Sequence, residues 1–136
     1  MSTRACIRIK KKIRMNYNDQ HLTDCAIMLY HHHDGYPEGV GSDLKEYISD
    51  VVSKWACGWN PEMIATDLVR GVIKDDDGNP DLGYEPAICQ HGDCEYGYEI
   101  DCDKQTLQCF KFGEDKEWRV SGIVPIPDRV LTKKED

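Results

Sequence analysis

Arg4-Ala5-Cys6-Ile7-Arg8-Ile9-Lys10-Lys11-Lys12-Ile13-Arg14-Met15 is the stretch from which the fold can be read. Ala5, Ile7, Ile9, Ile13 and Met15 occupy odd positions, whereas Arg4, Arg8, Lys10, Lys12 and Arg14 occupy even ones, with Lys11 as the exception. Successive side chains of a strand point to opposite faces, so this period of two predicts a half-buried strand with one basic face. Asn16-Tyr17-Asn18-Asp19-Gln20 supplies turn formers, and residues 24–33, rich in Ile, Met, Leu and Tyr, read as the returning strand. A β-hairpin therefore opens the chain.

Beyond the hairpin, residues 34–42 hold three glycines and a proline and read as a loop. Ser42 is a suitable N-cap for a helix whose apolar stripe is Leu44, Tyr47, Ile48, Val51, Val52 and Trp55. Asn60-Pro61 starts a second helix, with Asn as cap and Pro at the first helical position, and Ile64, Leu68, Val69, Val72 and Ile73 form its stripe. Asp75-Asp76-Asp77-Gly78-Asn79-Pro80-Asp81 is a polar breaker. It lacks the register of an EF-hand, since Gly78 stands fourth rather than sixth and Pro86 occupies position twelve, so a solvated loop is expected.

Residues 84–91 and 95–102 read as strands, and Asp103-Lys104-Gln105-Thr106 joins the second of these to residues 107–112 as a hairpin. A four-residue turn there would set Cys102 opposite Leu107 and Ile100 opposite Cys109, placing both cysteines on an apolar face. Residues 118–126 add a last extended segment, limited by Pro125 and Pro127 to an edge or a strand end, and residues 132–136 are expected to fray. The expected architecture is a single α+β domain over residues 1–136. It has a mainly antiparallel sheet of four to five strands with two helices packed on it, in the order β-β-α-α-β-β with room for one more strand.

The chain has 136 residues, 40% of them hydrophobic and 31% charged, in keeping with one globular core. Acidic residues outnumber basic ones by 25 to 17, a formal charge of −8 that argues against whole-surface attraction to nucleic acid or anionic membrane. The charge is segregated: the first fourteen residues carry six basic groups and no acidic one, leaving the remaining 122 residues at −14. No apolar run approaches the roughly 18–20 residues of a membrane span, and the N-terminus lacks the apolar stretch of a secretory signal, so a cytoplasmic location is expected. Seven cysteines, an odd number, read as thiols in such a compartment.

The most distinctive stretch is Tyr30-His31-His32-His33-Asp34-Gly35-Tyr36-Pro37-Glu38-Gly39-Val40-Gly41. Its pattern Tyr30-x-His32-x-Asp34-Gly35-Tyr36-Pro37-x-Gly39-x-Gly41, preceded by Met-Ser-Thr-Arg and a strand, resembles a family of small, mostly uncharacterised phage and prophage proteins. The resemblance covers roughly residues 1–50 and, more loosely, the late hairpin around Tyr98-Glu99-Ile100-Asp101 and Leu107. It implies a phage-type origin, and with it the cytoplasm of a host cell, but it lends no reaction and no catalytic residue.

Three readings of the motif compete. In the structural one, Gly35, Gly39 and Gly41 allow positive φ, Pro37 stiffens the turn, and Asp34 or His32 bonds loop amides. In the ligand reading, glycines ahead of a helix let backbone N–H groups approach an anion, and His32 with the basic strand face completes a pocket for a phosphate-bearing small molecule. The spacing is neither a Walker A motif nor a dinucleotide fingerprint. In the metal or catalytic reading, His31, His33 and Asp34 offer ligand types suited to zinc, with residues 31 and 33 on one strand face and His32 with Tyr30 and Asp34 on the other. A His–Asp pair also serves general-base work. The candidate binding residues are Tyr30, His32, Asp34, Gly35, Tyr36, Gly39, Gly41, Ser42, Arg8 and Lys10; none is assigned as a metal ligand or catalytic group, and no cofactor is named.

Cys89-x-His91-x-x-Cys94 supplies one half of a zinc-site spacing, with Cys102 or Cys109 as a further ligand, but the other half is missing. The triple lysine of the first strand lacks interleaved aromatics for RNA, and a basic face opposed by acidic neighbours is the simpler expectation. The favoured function is an accessory protein acting by binding. Its target is a host protein engaged through the acidic surface, in keeping with an inhibitor of host defence, or a phosphate-bearing nucleotide-like ligand at residues 30–42. The alternative is a small metal- or His-dependent hydrolase centred on His32 and Asp34. A homo-oligomer is compatible with the sequence, and a membrane partner is not expected.

Overall fold

The computed structural model describes residues 3–18 and 20–129. The elements are β1 (Arg4–Ile13), β2 (Thr23–His31), α1 (Ser42–Asp50), α2 (Pro61–Arg70), β3 (Tyr84–Ala87), β4 (Cys94–Asp101), β5 (Thr106–Lys111) and β6 (Ile123–Val124). The fold is α+β, with one sheet and two helices on one of its faces. The sheet has six strands in the order β3-β2-β1-β4-β5-β6, rather than the four to five expected. It is also mixed, because β1 pairs antiparallel with β2 and parallel with β4. Alternation in β1 identifies a strand but carries no record of its neighbours, and the parallel partner lies some ninety residues away, beyond both helices. The expected fraying of residues 132–136 falls outside the described residues.

The odd-position rule of β1 holds in the packing as far as Ile9, beyond which Ile13 and Met15 are exposed. Ala5, Ile7 and Ile9 are fully buried beneath the helices with Leu29, Leu44, Ile64, Leu68, Tyr98 and Ile100. The even positions face the other side, where Cys6, Tyr30, Cys94, Phe110 and Phe112 make a smaller cluster with Met28 and Trp118 against it. The basic side chains of that face meet carboxylates. Arg8 pairs with Glu99 at 2.5 Å, Lys10 lies 3.6 Å from Glu99 and 3.8 Å from Asp101, and Arg4 lies 3.4 Å from Asp93. Arg8 also stacks over Trp118 at 3.9 Å.

Four local expectations change. Ser42 does not cap α1. Pro37–Gly41 winds as one wide helical turn directly into it, and the Ser42 hydroxyl donates to the carbonyls of Pro37 and Pro127 at 3.2 and 2.9 Å. The stripe to Trp55 breaks after Asp50: Val52–Lys54 is a tight turn and Trp55 is exposed. In the β4–β5 hairpin Ile100 faces Leu107 and Tyr98 faces Cys109, a register shifted by two residues from the one expected. Asp101 sets it by accepting the Asp103 and Lys104 amides at 3.0 Å each, so the turn begins one residue earlier. A shift of two keeps the faces, and Cys102 and Cys109 are still buried. The start of α2 agrees with the sequence, since Asn60 accepts the Met63 amide at 3.0 Å, but Gly71 closes the helix at φ 81° ahead of Val72 and Ile73 of the expected stripe.

Candidate functional site

At the C-terminal end of β2 the chain turns through residues 32–36 toward α1, and residues 74–83 return beside it to enter β3. Between them lies a cleft of about 720 Å³, lined by residues of both segments and by Pro127, Asp128 and Arg129. Its lining holds seven carboxylates, among them Asp34, Asp43, Asp75, Asp76 and Asp81, against the cations Lys74 and Arg129. Arg129 is itself engaged, paired with Asp43 and within 3.5 Å of Glu46 and 3.7 Å of Asp76. The cleft is therefore a region of negative potential. Burial pushes the Asp43 carboxyl up to about 6 despite Arg129 beside it.

The glycine loop is held from below by Tyr98, whose hydroxyl donates to the Gly35 carbonyl at 2.6 Å, and by the Gly35 amide, which donates to Thr3 at 2.9 Å. Gly35, Gly39 and Gly41 do not adopt positive φ. The left-handed residue of the loop is Asp34, at φ 53°. Glycine is required at 35 and 39 by close approach instead: an added Cβ would lie 2.9 Å from the Ala5 Cβ at position 35 and 2.2 Å from the Asp34 carbonyl oxygen at position 39. The amides of Gly39, Val40 and Ser42 donate to carbonyls within the loop. These three amides are thus not available to an anion at the helix start.

The ten candidate residues separate into two groups. Asp34, Gly35, Tyr36, Gly39, Gly41 and Ser42 form the loop, with the Tyr36 hydroxyl donating to Asp34 at 3.0 Å. Tyr30, Arg8 and Lys10 lie on the opposite sheet face, Arg8 and Lys10 at Glu99 and Tyr30 donating to Asp93 at 2.8 Å. His32 reaches the cleft rim, but its Nε2 lies 2.6 Å from Glu85 and its ring meets Tyr30 edge-on. Cys89 is exposed, His91 stacks on Tyr30 at 4.1 Å, and Cys94 is buried beside Cys6, so the half zinc spacing is not gathered around one point.

The histidines that do enter the cleft are His31 and His33. Among the described residues one trio of potential ligands converges: the ligand atoms of His31, His33 and Asp81 all lie within 4.8 Å of one another. His31 is buried, with Nδ1 at 2.5 Å from the His33 carbonyl oxygen and Nε2 at 3.0 Å from Asp81 Oδ2. Burial alone would raise the Asp81 carboxyl, but the His31 ring beside it and the hydrogen bond from the Gly83 amide outweigh it and hold it below the usual carboxylate value. Asp81 joins the site from a loop fifty residues away, in a polar run that locally reads as a breaker, and no local signal assigns it a partner.

No family model, no curated protein and no solved structure matches the chain.

Proposed function

We propose that this is a phage-type accessory protein that acts by binding, and that the acidic cleft is its recognition site for a basic segment of a host protein. The observation that carries the reading is the lining of the cleft, seven carboxylates against two cations, beside a glycine loop in which the Gly39, Val40 and Ser42 amides are already bonded. The same observation weighs against a free phosphate-bearing ligand at residues 30–42, because Arg8 and Lys10 lie on the far sheet face in ion pairs of their own. An inhibitor of a host defence protein is the role most in keeping with the phage-like motif.

A thermal-shift comparison tests it. Arginine-rich peptides are expected to raise the melting temperature, and the shift is expected to shrink as salt is raised toward physiological strength, where screening acts over about 8 Å. Nucleotides and cyclic nucleotides are expected to give none. A nucleotide shift without any peptide shift would return the phosphate reading to first place.

The hydrolase reading centred on His32 and Asp34 draws less support. His32 is bonded to Glu85, and Asp34 accepts the Tyr36 hydroxyl. What favours a metal-dependent form is the neighbouring trio at His31, which involves different residues.

A further inference from the structure

We propose that His31, His33 and Asp81 form a binding site for a divalent first-row transition ion, zinc foremost, at the floor of the cleft. The inference does not depend on the nature of the partner. It begins with the proton on His31. A carbonyl oxygen can only accept, so the 2.5 Å contact with the His33 carbonyl requires a hydrogen on Nδ1. In the neutral ring that leaves Nε2 with its lone pair directed at Asp81 Oδ2 from 3.0 Å, acceptor against acceptor. A cation placed between them would be held by both atoms.

The surroundings favour the cation. A metal-bound histidine usually donates its other ring N–H to a backbone carbonyl or carboxylate, which fixes the ring, and His31 has this arrangement with Nε2 left as the ligand. The Gly83 amide holds Asp81 Oδ1 at 2.9 Å, so the carboxylate is oriented with Oδ2 toward His31. Gly83 also leaves space: a Cβ there would lie 2.9 Å from His31 Nε2, 3.0 Å from Asp81 Oδ1 and 3.1 Å from the His33 ring. The ring packed on His31, at 4.2 Å, belongs to Tyr84, whose buried hydroxyl has no hydrogen-bond partner among the described residues. Two imidazoles and one carboxylate suit zinc, iron, manganese or cobalt rather than calcium or magnesium, and three protein ligands leave a position open to water or substrate. A tetrahedral site with bonds near 2.0–2.2 Å sets its ligand atoms about 3.3–3.6 Å apart, so atoms up to 4.8 Å apart must close by up to about 1.5 Å, and exposed His33 is free to make that movement.

The test uses the full chain, free of any histidine tag and stripped with a chelator. It is dialysed against Zn²⁺ and, in parallel, Co²⁺, with bound metal counted per chain and the cobalt spectrum recorded. One ion per chain is expected, with a cobalt spectrum free of thiolate charge transfer. His33→Ala keeps the backbone carbonyl that His31 needs and alters only an exposed side chain, and it should weaken binding roughly tenfold or more. Asp81→Asn should do the same, while His32→Ala and Cys89→Ser should leave the affinity unchanged. Absence of a stoichiometric ion, undiminished binding in His33→Ala, or a thiolate band in the cobalt spectrum would overturn the site. Partner binding is read separately by peptide titration, so failure of one reading leaves the other standing.

Discussion

At Gly39 a single methyl group decides whether the loop can close, because a Cβ there would overlap the Asp34 carbonyl oxygen at 2.2 Å, and that oxygen accepts the Val40 amide at 2.8 Å. Gly39→Ala is therefore expected to cost about 1–3 kcal/mol in urea unfolding, as overpacking does elsewhere. The thiols separate by burial in the same way. Cys57 and Cys89 are exposed, Cys25 is half-buried, and Cys6, Cys94, Cys102 and Cys109 are buried. In the native protein a thiol reagent should label Cys57 and Cys89 quickly and Cys25 slowly, with the four buried thiols reacting only on unfolding; fast labelling of all seven would contradict the packing. The glycines announce a tight loop in the sequence, but their reason is contact rather than positive φ: Gly39 meets Asp34 within the loop, whereas Gly35 meets Ala5 and Gly41 meets Tyr98 and Ile126 from outside it. His31 is legible as sharing a face with His33. That this face meets Asp81 is not, because the meeting is made by tertiary structure.

Among the elements, the start of α2 is the part most fully written in the sequence, with Asn60 and Pro61 each placed by its own local chemistry, whereas the stop at Gly71 falls two residues short of the end of the expected apolar stripe. Removing the cap bond in Asn60→Ala is expected to destabilise the protein by about 1 kcal/mol, measurable as a lower urea midpoint at unchanged slope. The start of α1 was open to misreading for the converse reason. Ser42 has the right chemistry for a cap, but the turn at Pro37–Gly41 satisfies the helix start first and frees the hydroxyl for the Pro37 and Pro127 carbonyls. The sequence reveals β1 by alternation and β2 by its apolar composition, and it places strands at β3, β4 and β5, whereas the neighbour relations of the sheet, above all the parallel β1–β4 pair, depend on how the two helices carry the chain across it.

Across the whole molecule the charges separate into two environments. On the far sheet face the basic residues of β1 are matched by Glu99, Asp101 and Asp93, whereas the cleft gathers carboxylates with few cations. Asp43 should report this crowding. Its carboxyl, raised to about 6, holds a proton more tightly in the folded chain than in the unfolded one. The stability this provides is full below the ordinary aspartate value, near pH 4, and is lost as pH rises through about 6. Asp43→Asn should accordingly gain stability relative to the parent protein between about pH 4 and pH 7 in urea midpoints; a difference that stays flat across that range would refute the shift.

The central claim, that the cleft is where a basic partner is recognised, is tested most directly by reversing its charge. Glu38 and Asp76 are exposed in the cleft lining, whereas Glu114 and Glu117 are exposed away from it, on the segment after β5. Fluorescence anisotropy with one arginine-rich peptide compares Glu38→Lys/Asp76→Lys with Glu114→Lys/Glu117→Lys, two variants of equal net charge. Affinity should fall by roughly tenfold or more in the cleft variant, about 1.4 kcal/mol, and change little in the control. Equal losses in both variants would mean that the peptide responds to total charge and that the cleft recognises nothing.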